Sequence, residues 1–122
     1  MSEAMASEAA REKPVVQFIE RLRSLGGLKG TDIANLAGVS KATVSRWSSG
    51  QKIPHPRTQL IVSDLSYVVM RLSEYYSGEE VRAWLYAPHP QLDSARAIDL
   101  IGGGRSEEVI AILDRLYADA YL

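Results

Sequence analysis

The side chains best suited to chemistry lie in one short stretch of the sequence and are small, polar or cationic. Lys41 and Arg46 carry donors that suit the O6 and N7 atoms of guanine, and the methyl group of Ala42 suits that of thymine. Polar side chains in 48–52 suit phosphate oxygens, and such contacts fix the register without reading sequence. We therefore predict a nucleic-acid contact surface formed by Ser40, Lys41, Ala42, Thr43, Ser45, Arg46, Ser49, Gln51 and Lys52.

To present these side chains, the chain must form two short helices joined by a tight turn. The first helix is marked by a capping residue and an apolar face, which are Thr31 or Asp32, and Ile33, Ala34 and Ala37. Gly38 ends this helix, because a positive φ costs glycine little. Ser40 caps the second helix, in which Val44 and Trp47 point inward. This pattern is a helix-turn-helix, whose second helix enters the major groove of DNA.

The charge of the 122-residue chain is distributed unevenly, although its formal net charge is only −1. Residues 14–60 carry seven basic side chains against two acidic ones, a net charge of +5. Residues 61–122 carry five basic side chains against ten acidic ones, a net charge of −5. The basic half contains the helix-turn-helix, where phosphate contacts need cations. The acidic half therefore needs a different explanation.

Composition argues against several other kinds of site. The chain has no cysteine, which excludes disulfides and thiolate metal sites and fits a reducing compartment. His55 and His89 each lie between two prolines and are too few to hold a metal alone. No acid–base or nucleophile pattern is evident, and the glycines at 102–104 lack the Gly-Lys-Ser/Thr ending of a phosphate loop. We expect no catalytic residue, no metal and no cofactor.

The sequence also predicts a cytoplasmic protein without membrane association. No apolar run approaches the roughly 20 residues that span a bilayer. The N-terminal residues have acidic side chains where a signal peptide needs basic ones, and no apolar stretch follows them.

Helical periodicity throughout the chain predicts an all-α fold of four segments, with no strand. Residues 1–13 form a disordered or loosely helical arm, and 14–56 form the DNA-binding bundle. Residues 57–78 form a long connecting helix, whose second half could equally be a dimer interface. Residues 79–122 form a small helical module that includes a short helix at 94–101.

The same periodicity predicts which side chains of each helix face the core. The predicted core positions outside the helix-turn-helix are Val15, Phe18, Ile19, Leu22 and Leu25, then Ile61, Leu65, Val68, Val69, Leu72 and Tyr76, then Val81, Trp84 and Leu85, and finally Val109, Ile112, Leu113 and Leu116. Ile110, Tyr117 and Tyr121 form a second apolar stripe on the last helix. The chain remains apolar to Leu122, which indicates an end that folds back or inserts into a partner.

Two C-terminal motifs, AWLYAPHPQLD and ARAIDLIGGGRSEEVIAILDRLYADAYL, follow the helix-turn-helix and its RWSSGQKIP ending. In this order, over residues 14–122, the sequence resembles the Xre/MbcA/ParS-type antitoxins, which are partners of RES-domain toxins. It departs from the family pattern at Ala97, where many relatives have a proline, and in one extra glycine. Both departures affect the conformation of a loop.

The resemblance implies a type II antitoxin that neutralises a co-encoded RES-domain toxin and represses its own operon. Such toxins consume NAD, and in related complexes the antitoxin's C-terminal region covers the toxin's active site. NAD would then be the partner's substrate. The toxin-binding residues carried over from the family are Trp84, Leu85, Tyr86, Pro88, Leu92, Tyr117, Tyr121 and Leu122. Trp84 and Leu85 would shape the module, whereas Tyr117, Tyr121 and Leu122 would reach the toxin.

A homodimer within a larger toxin–antitoxin complex is expected, because one recognition helix reads few bases and symmetry pairs it with a half-site. The main alternative is a free-standing helix-turn-helix regulator whose C-terminal domain senses a ligand or a protein. A third reading is an interaction scaffold with a decayed DNA-binding face.

Overall fold

Helices make up both halves of the chain, and a computed structural model describes residues 14–120. The N-terminal half contains helices α1 (14–24), α2 (Gly30–Ala37), α3 (Lys41–Ser48) and α4 (Pro56–Ser73). The C-terminal half contains α5 (Gly78–Tyr86), β1 (Pro88–His89), a 3-10 helix (Pro90–Leu92), β2 (Ala95–Arg96), α6 (Ala97–Gly102) and α7 (Ser106–Ala120). The predicted all-α class is confirmed. None of the helices in this part of the chain is long and apolar enough to cross a membrane.

Side-chain caps account for where several helices begin. The Ser77 hydroxyl accepts from the Glu80 backbone N–H at 3.3 Å, and the Glu80 carboxylate accepts from the Ser77 N–H at 3.0 Å. The backbone and side-chain hydrogen bonds to Ser77 lower the pKa of Glu80. Pro56 opens α4, and the preceding His55 accepts from the Arg57 N–H through Nδ1.

The proline-framed segment after α5 differs from the prediction, which contained no strand. Its two short strands are antiparallel, with the register Pro88 to Arg96 and His89 to Ala95. Between the strands, Asp93 and Ser94 have φ values of 55° and 68°. Because a positive φ is incompatible with a right-handed helix, the predicted helix start at residue 94 is wrong. The helix begins instead at Ala97.

Three residues predicted to face the core are exposed. Leu25 and Tyr76 are 38% and 43% exposed and lie beyond the last residues of α1 and α4, so helical periodicity no longer applies to them. Leu116 is 45% exposed and lies one turn past Leu113, the last residue of α7 seen to be buried. The packing of α7 continues instead through the next residue, Tyr117, which is half-buried against the end of α4.

The hydrophobic core is continuous across the predicted segments. Helix α4 contacts α5, α6 and α7, and α2 contacts α6. One buried cluster includes Val44 and Trp47 of the helix-turn-helix, Val62, Leu65 and Val69 of α4, and Leu85, Ile101 and Leu113 of the C-terminal half. The two halves are therefore not expected to fold independently.

Two glycines allow the halves to approach closely at one point. Gly27 has a φ of 61°, and a Cβ placed on it would lie 2.8 Å from the carbonyl oxygen of Gly78. A larger residue would push the α1–α2 loop away from the start of α5.

The carboxylate of Asp32 provides a polar connection between the halves. Its Oδ2 accepts from the Lys29 backbone N–H at 2.7 Å and from Arg82 Nη1 at 2.6 Å. Its Oδ1 accepts from the Tyr86 hydroxyl at 2.8 Å. Burial raises the pKa of Asp32, but the hydrogen bonds from Arg82, Lys29 and Tyr86 outweigh it and hold the pKa below its ordinary 3.8. Helix α2 begins at Gly30 with Lys29 as its N-cap, so neither Thr31 nor Asp32 is the capping residue that the sequence predicted. Asp32 instead stabilises the start of α2 from within its first turn and also binds α5.

The continuous core predicts a single cooperative unfolding transition. Trp47 and Trp84 are the two tryptophans of the chain, one in each half. In Trp47→Phe and in Trp84→Phe, the remaining tryptophan's fluorescence should follow the same urea transition as the circular dichroism of that variant. Fluorescence and circular dichroism midpoints that differ clearly in either variant would contradict the shared core.

Replacing the buried carboxylate should destabilise the fold in a pH-dependent way. At neutral pH, Asp32→Asn should lower the free energy of unfolding by about 1–3 kcal/mol, because it weakens the hydrogen bonds from Arg82 and Lys29. The folded-state pKa of Asp32 is depressed, so its contribution is complete above the unfolded pKa and is lost as the pH falls through the folded value.

Urea unfolding from neutral to acidic pH would measure this difference, which should shrink in acid. Asp99→Asn is a matched control, because it removes an exposed carboxylate that pairs with the exposed Arg96. The control should change stability little. A wild-type advantage over Asp32→Asn that persists undiminished in strong acid would argue against the proposed role of the carboxylate.

Candidate functional site

The turn between α2 and α3 has the geometry that the sequence predicts for a helix-turn-helix. Gly38 has a φ of 69°, in the left-handed region, and its N–H bonds to the Ala34 carbonyl. Ala34 is buried in the angle between the helices, and Val44 and Trp47 are buried on the inner face of α3. The predicted core roles of these residues are confirmed, including that of Trp47.

The Ser40 side chain fixes the start of α3. Its Oγ accepts from the Thr43 backbone N–H at 3.1 Å and lies 3.0 Å from the Thr43 hydroxyl. The predicted cap is therefore confirmed. It satisfies one N–H group in the first turn, the part of the helix that would approach DNA.

The outer face of α3 and the loop after it present the predicted contact residues to solvent. Of these residues, Thr43 is half-buried, and the others are exposed, namely Ser40, Lys41, Ala42, Ser45, Arg46, Ser49, Gln51 and Lys52. They lie at the start of α3, along its outer face and in the loop that follows it. Their contact with DNA remains a prediction.

The hydroxyl groups at the end of α3 are already engaged with the backbone. Ser48 donates to the Val44 carbonyl at 3.0 Å, and Ser49 donates to the Arg46 carbonyl at 3.2 Å. A hydroxyl has a single hydrogen, so donating to a phosphate would require breaking these bonds. Gln51 and Lys52 are therefore better placed than Ser49 to donate to phosphate.

Most ion pairs form within the acidic half of the sequence and leave the cations of the basic half unpaired by it. The described side chains, in residues 14–118, form four ion pairs, and three of these join partners within residues 61–122, the acidic half of the sequence: Arg71–Asp114, Arg96–Asp99 and Arg105–Glu108. The fourth joins Arg82 to Asp32. None of them involves Lys41, Arg46 or Lys52. The cations of the candidate DNA surface are thus not neutralised by these carboxylates.

The residues carried over as toxin-binding occupy different environments in the C-terminal half. Leu85 and Leu92 belong to the core, so any effect on a partner must come through the shape of the module. Trp84 is half-buried, and its ring centroid lies 4.4 Å from that of His89. His89 Nε2 lies 2.7 Å from the Trp84 carbonyl oxygen and must donate to it. Pro88 is exposed beside this pair.

Tyr86 lies at the junction of the two halves. Its hydroxyl donates to Asp32, and the guanidinium carbons of Arg82 and Arg96 lie 4.7 and 5.4 Å from its ring centroid. Burial, followed by the bond to Asp32, raises the pKa of Tyr86. The ring lines a cleft of about 440 Å³ together with Asp32, Asn35, Leu36, Arg96, Ile98, Asp99 and Gly102. The family resemblance predicts that Tyr86 contacts the toxin, whereas its hydroxyl binds Asp32 within the chain.

Tyr117 packs back onto the end of α4. Its hydroxyl donates to the Arg71 carbonyl, and its ring centroid lies 5.1 Å from that of Tyr75. The Arg71 guanidinium lies over the ring at 4.3 Å and also binds Asp114 at 2.6 Å. Burial, followed by the charge of Glu74, raises the pKa of Tyr117. Tyr121 and Leu122 lie outside the described residues, as does the predicted arm 1–13.

Sequence reasoning missed the contacts that join the elements. Arg82 and Tyr86 are four apart and therefore share a face of α5, but no local signal identifies Asp32 as their partner. The pairing of Arg71 with Asp114 spans a similarly long separation. Among the described side chains, those of residues 14–118, no three His, Cys, Asp or Glu lie together as a metal site would require.

Comparisons with known proteins point to one group of relatives, although no family model matches the chain. The chain is 28% identical over 98 residues to the mycobacterial cidal antitoxin MbcA of Mycobacterium tuberculosis, covering 80% of this chain and 83% of MbcA. MbcA of Mycobacterium bovis gives the same values. The probable mycobacterial cidal antitoxin Rv3188 of M. tuberculosis is 27% identical over 118 residues, covering 97% of this chain and all of that protein.

A solved crystal structure contains a chain with a similar fold. A chain in the crystal structure of the M. tuberculosis MbcT–MbcA toxin–antitoxin complex superposes with a TM-score of 0.73 and 25% identity. The match covers 91% of this chain and 96% of that one. Sequence and fold together therefore relate this chain to the MbcA-type antitoxins of toxin–antitoxin systems.

Proposed function

We propose that this chain is a type II antitoxin that neutralises a co-encoded RES-domain toxin and represses its own operon. The observation that carries the proposal is the similarity to MbcA, in sequence and in fold, along most of both chains. In this role the chain is a binding protein and not an enzyme, and it needs no cofactor. NAD is the substrate of the toxin whose active site the antitoxin covers.

The charge of the C-terminal half supports binding to a basic partner. Residues 61–122 carry a net charge of −5, and Glu107 is exposed on α7 outside the ion pairs that join Glu108 to Arg105 and Asp114 to Arg71. This surface would complement a basic cleft that holds nucleotide phosphates. Such complementarity raises the association rate more than it tightens the complex. The direct contacts would come from Pro88, Tyr117, Tyr121 and Leu122.

Operator binding is supported by the exposed face of α3. The capped N-terminus of this helix would enter the major groove, with Lys41 and Arg46 directed at base edges. Gln51 and Lys52 would bind the DNA backbone. A homodimer would present two such helices to half-sites about 34 Å apart, one turn of DNA.

Co-expression tests the toxin-binding part of the proposal. The toxin gene expected next to this one should arrest growth when expressed alone, and co-expression of this chain should restore growth. The two products should also purify together as a complex. Failure of a genuine neighbouring RES toxin to bind this chain would refute the proposal.

The recognition helix should be needed for DNA binding alone. Arg46→Ala should weaken operator binding by about 1–3 kcal/mol, because it removes a donor to base edges. Electrophoretic mobility shift at fixed salt would measure the loss, since affinity depends on ionic strength. Arg105→Ala is the matched control, because Arg105 lies in the C-terminal half and pairs with Glu108. Loss of toxin neutralisation in a folded Arg46→Ala protein would contradict the separation of the two activities.

The C-terminal end should be needed for toxin binding alone. Deleting Tyr121 and Leu122 should reduce growth rescue and toxin affinity, because two apolar anchors are lost from the interface. Operator binding should not change. A two-residue deletion within the arm 2–13 serves as the control. Full neutralisation by the chain lacking Tyr121 and Leu122 would rule out a role for this end.

A further inference from the structure

Beyond Leu113, the last helix is held to α4 by contacts that meet at one arginine. Arg71 Nη1 donates to Asp114 of α7 at 2.6 Å, and the Arg71 guanidinium lies 4.3 Å from the ring centroid of Tyr117, one turn further along α7. Leu113 is fully buried, whereas Asp114 and Leu116 are exposed. The apolar packing of α7 is therefore followed by polar and ring contacts to Arg71.

The main chain of Arg71 belongs to the same contact. The Tyr117 hydroxyl donates to the Arg71 carbonyl oxygen, which also accepts from the Glu74 N–H at the long distance of 3.4 Å. This carbonyl lies in the last turn of α4, where carbonyl groups lack a full set of partners within the helix. The ring centroid of Tyr117 lies 5.1 Å from that of Tyr75. Tyr117 thus joins α7 to the end of α4 through both its hydroxyl and its ring.

The Arg71 side chain is more covered than the arginines of two other ion pairs. It is 17% exposed, whereas the side chains of Arg96 and Arg105 are 46% and 61% exposed. Arg71 Nη1 carries two hydrogens, and it donates to the Tyr67 hydroxyl at 3.1 Å as well as to Asp114. A planar guanidinium can donate to two acceptors and lie over a ring at the same time, which the ammonium group of lysine cannot do with this geometry.

The contact at Arg71 lies directly before the end of the chain. Helix α7 extends to Ala120, and Tyr121 and Leu122 follow Tyr117 by four and five residues. The line along which α7 passes the end of α4 therefore sets where the final residues start. A chain end that starts from a fixed helix loses less conformational freedom on binding a partner than one that starts from a frayed helix.

We propose that Arg71 is a positioning residue for toxin binding, which holds the last turns of α7 on the end of α4 and so presents Tyr121 and Leu122 to the toxin. In this role Arg71 acts through α7 and not by contact with the toxin. The inference rests on the proposed function, because it deepens the role given there to the C-terminal end. It also requires the shape of arginine, so that a positive charge alone does not suffice.

The toxin affinity of two Arg71 variants tests the proposal. Arg71→Met keeps the aliphatic stem and loses the guanidinium, and Arg71→Lys keeps the charge and loses the planar donors. Each should weaken toxin binding by about ten-fold, because the chain end must then be ordered on binding. Surface plasmon resonance with immobilised toxin would measure the affinity, and circular dichroism with urea unfolding would establish that each variant is folded.

Arg105→Met is the matched control for these variants. It also removes an arginine that pairs with a carboxylate of α7, here Glu108, and it changes the net charge by the same amount as Arg71→Met. Its toxin affinity should equal that of the wild type. Wild-type affinity in either Arg71 variant, or an equal loss in Arg105→Met, would overturn the inference.

A double-mutant cycle distinguishes positioning of the chain end from a general effect on the fold. Deleting Tyr121 and Leu122 removes the residues that Arg71 is proposed to position. In the shortened chain, Arg71→Met should therefore weaken toxin binding by less than about two-fold further. A loss as large in the shortened chain as in the full chain would show that Arg71 acts on another part of the interface, against the inference.

Hydrogen exchange without toxin tests the contact independently of the proposed function. The backbone amides of residues 118–120 should exchange about ten-fold faster in Arg71→Met than in the wild type, because the end of α7 opens more often. The same amides should be unchanged in Arg105→Met. Unchanged exchange in Arg71→Met would overturn the inference. Faster exchange in a chain whose wild type binds no toxin would refute the proposed function and support the role of Arg71 in holding α7.

Discussion

The buried carboxylate of Asp32 is the interaction on which the arrangement of the two halves depends. Three donors converge on it, from the loop before α2 and from Arg82 and Tyr86 of α5. A buried carboxylate is tolerated only when such donors replace water. The start of the helix-turn-helix and the first helix of the C-terminal half must therefore lie in one fixed relation. The close approach of Gly27 to Gly78 beside this contact adds a steric reason for the same relation.

The ion pair between Asp32 and Arg82 also bears on how charge is distributed over the molecule. The basic half has only two acidic residues, Glu20 and Asp32, and Asp32 is bound to an arginine from the other half. The other C-terminal ion pairs neutralise arginines of the acidic half with carboxylates of that half. The charge separation of the sequence therefore persists in the fold. It would let one small chain approach two partners of opposite charge.

Local signals in the sequence predicted most of the fold, and long-range contacts explain what they missed. The turn at Gly38, the cap at Ser40 and the buried positions of α3 and α4 follow from residue type and periodicity within a few turns. Arg82 and Asp32 are 50 residues apart, and no local pattern joins them. The β1–β2 ribbon depends on positive φ at Asp93 and Ser94, which are not glycines. The exposure of Leu116 beside the half-buried Tyr117 depends on which side of the last turns of α7 meets α4, which periodicity alone does not show.

The continuous core also limits how the two proposed activities can influence each other. Helix α4 packs against the C-terminal helices through the cluster that contains Val44 and Trp47. A partner that binds only the folded C-terminal half must therefore stabilise the helix-turn-helix as well, by mass action. This coupling needs no change of shape, because it acts through the single unfolding transition that the continuous core predicts. Toxin binding would thus preserve the DNA-binding form, even though the two surfaces carry opposite charge and share none of the residues assigned to them.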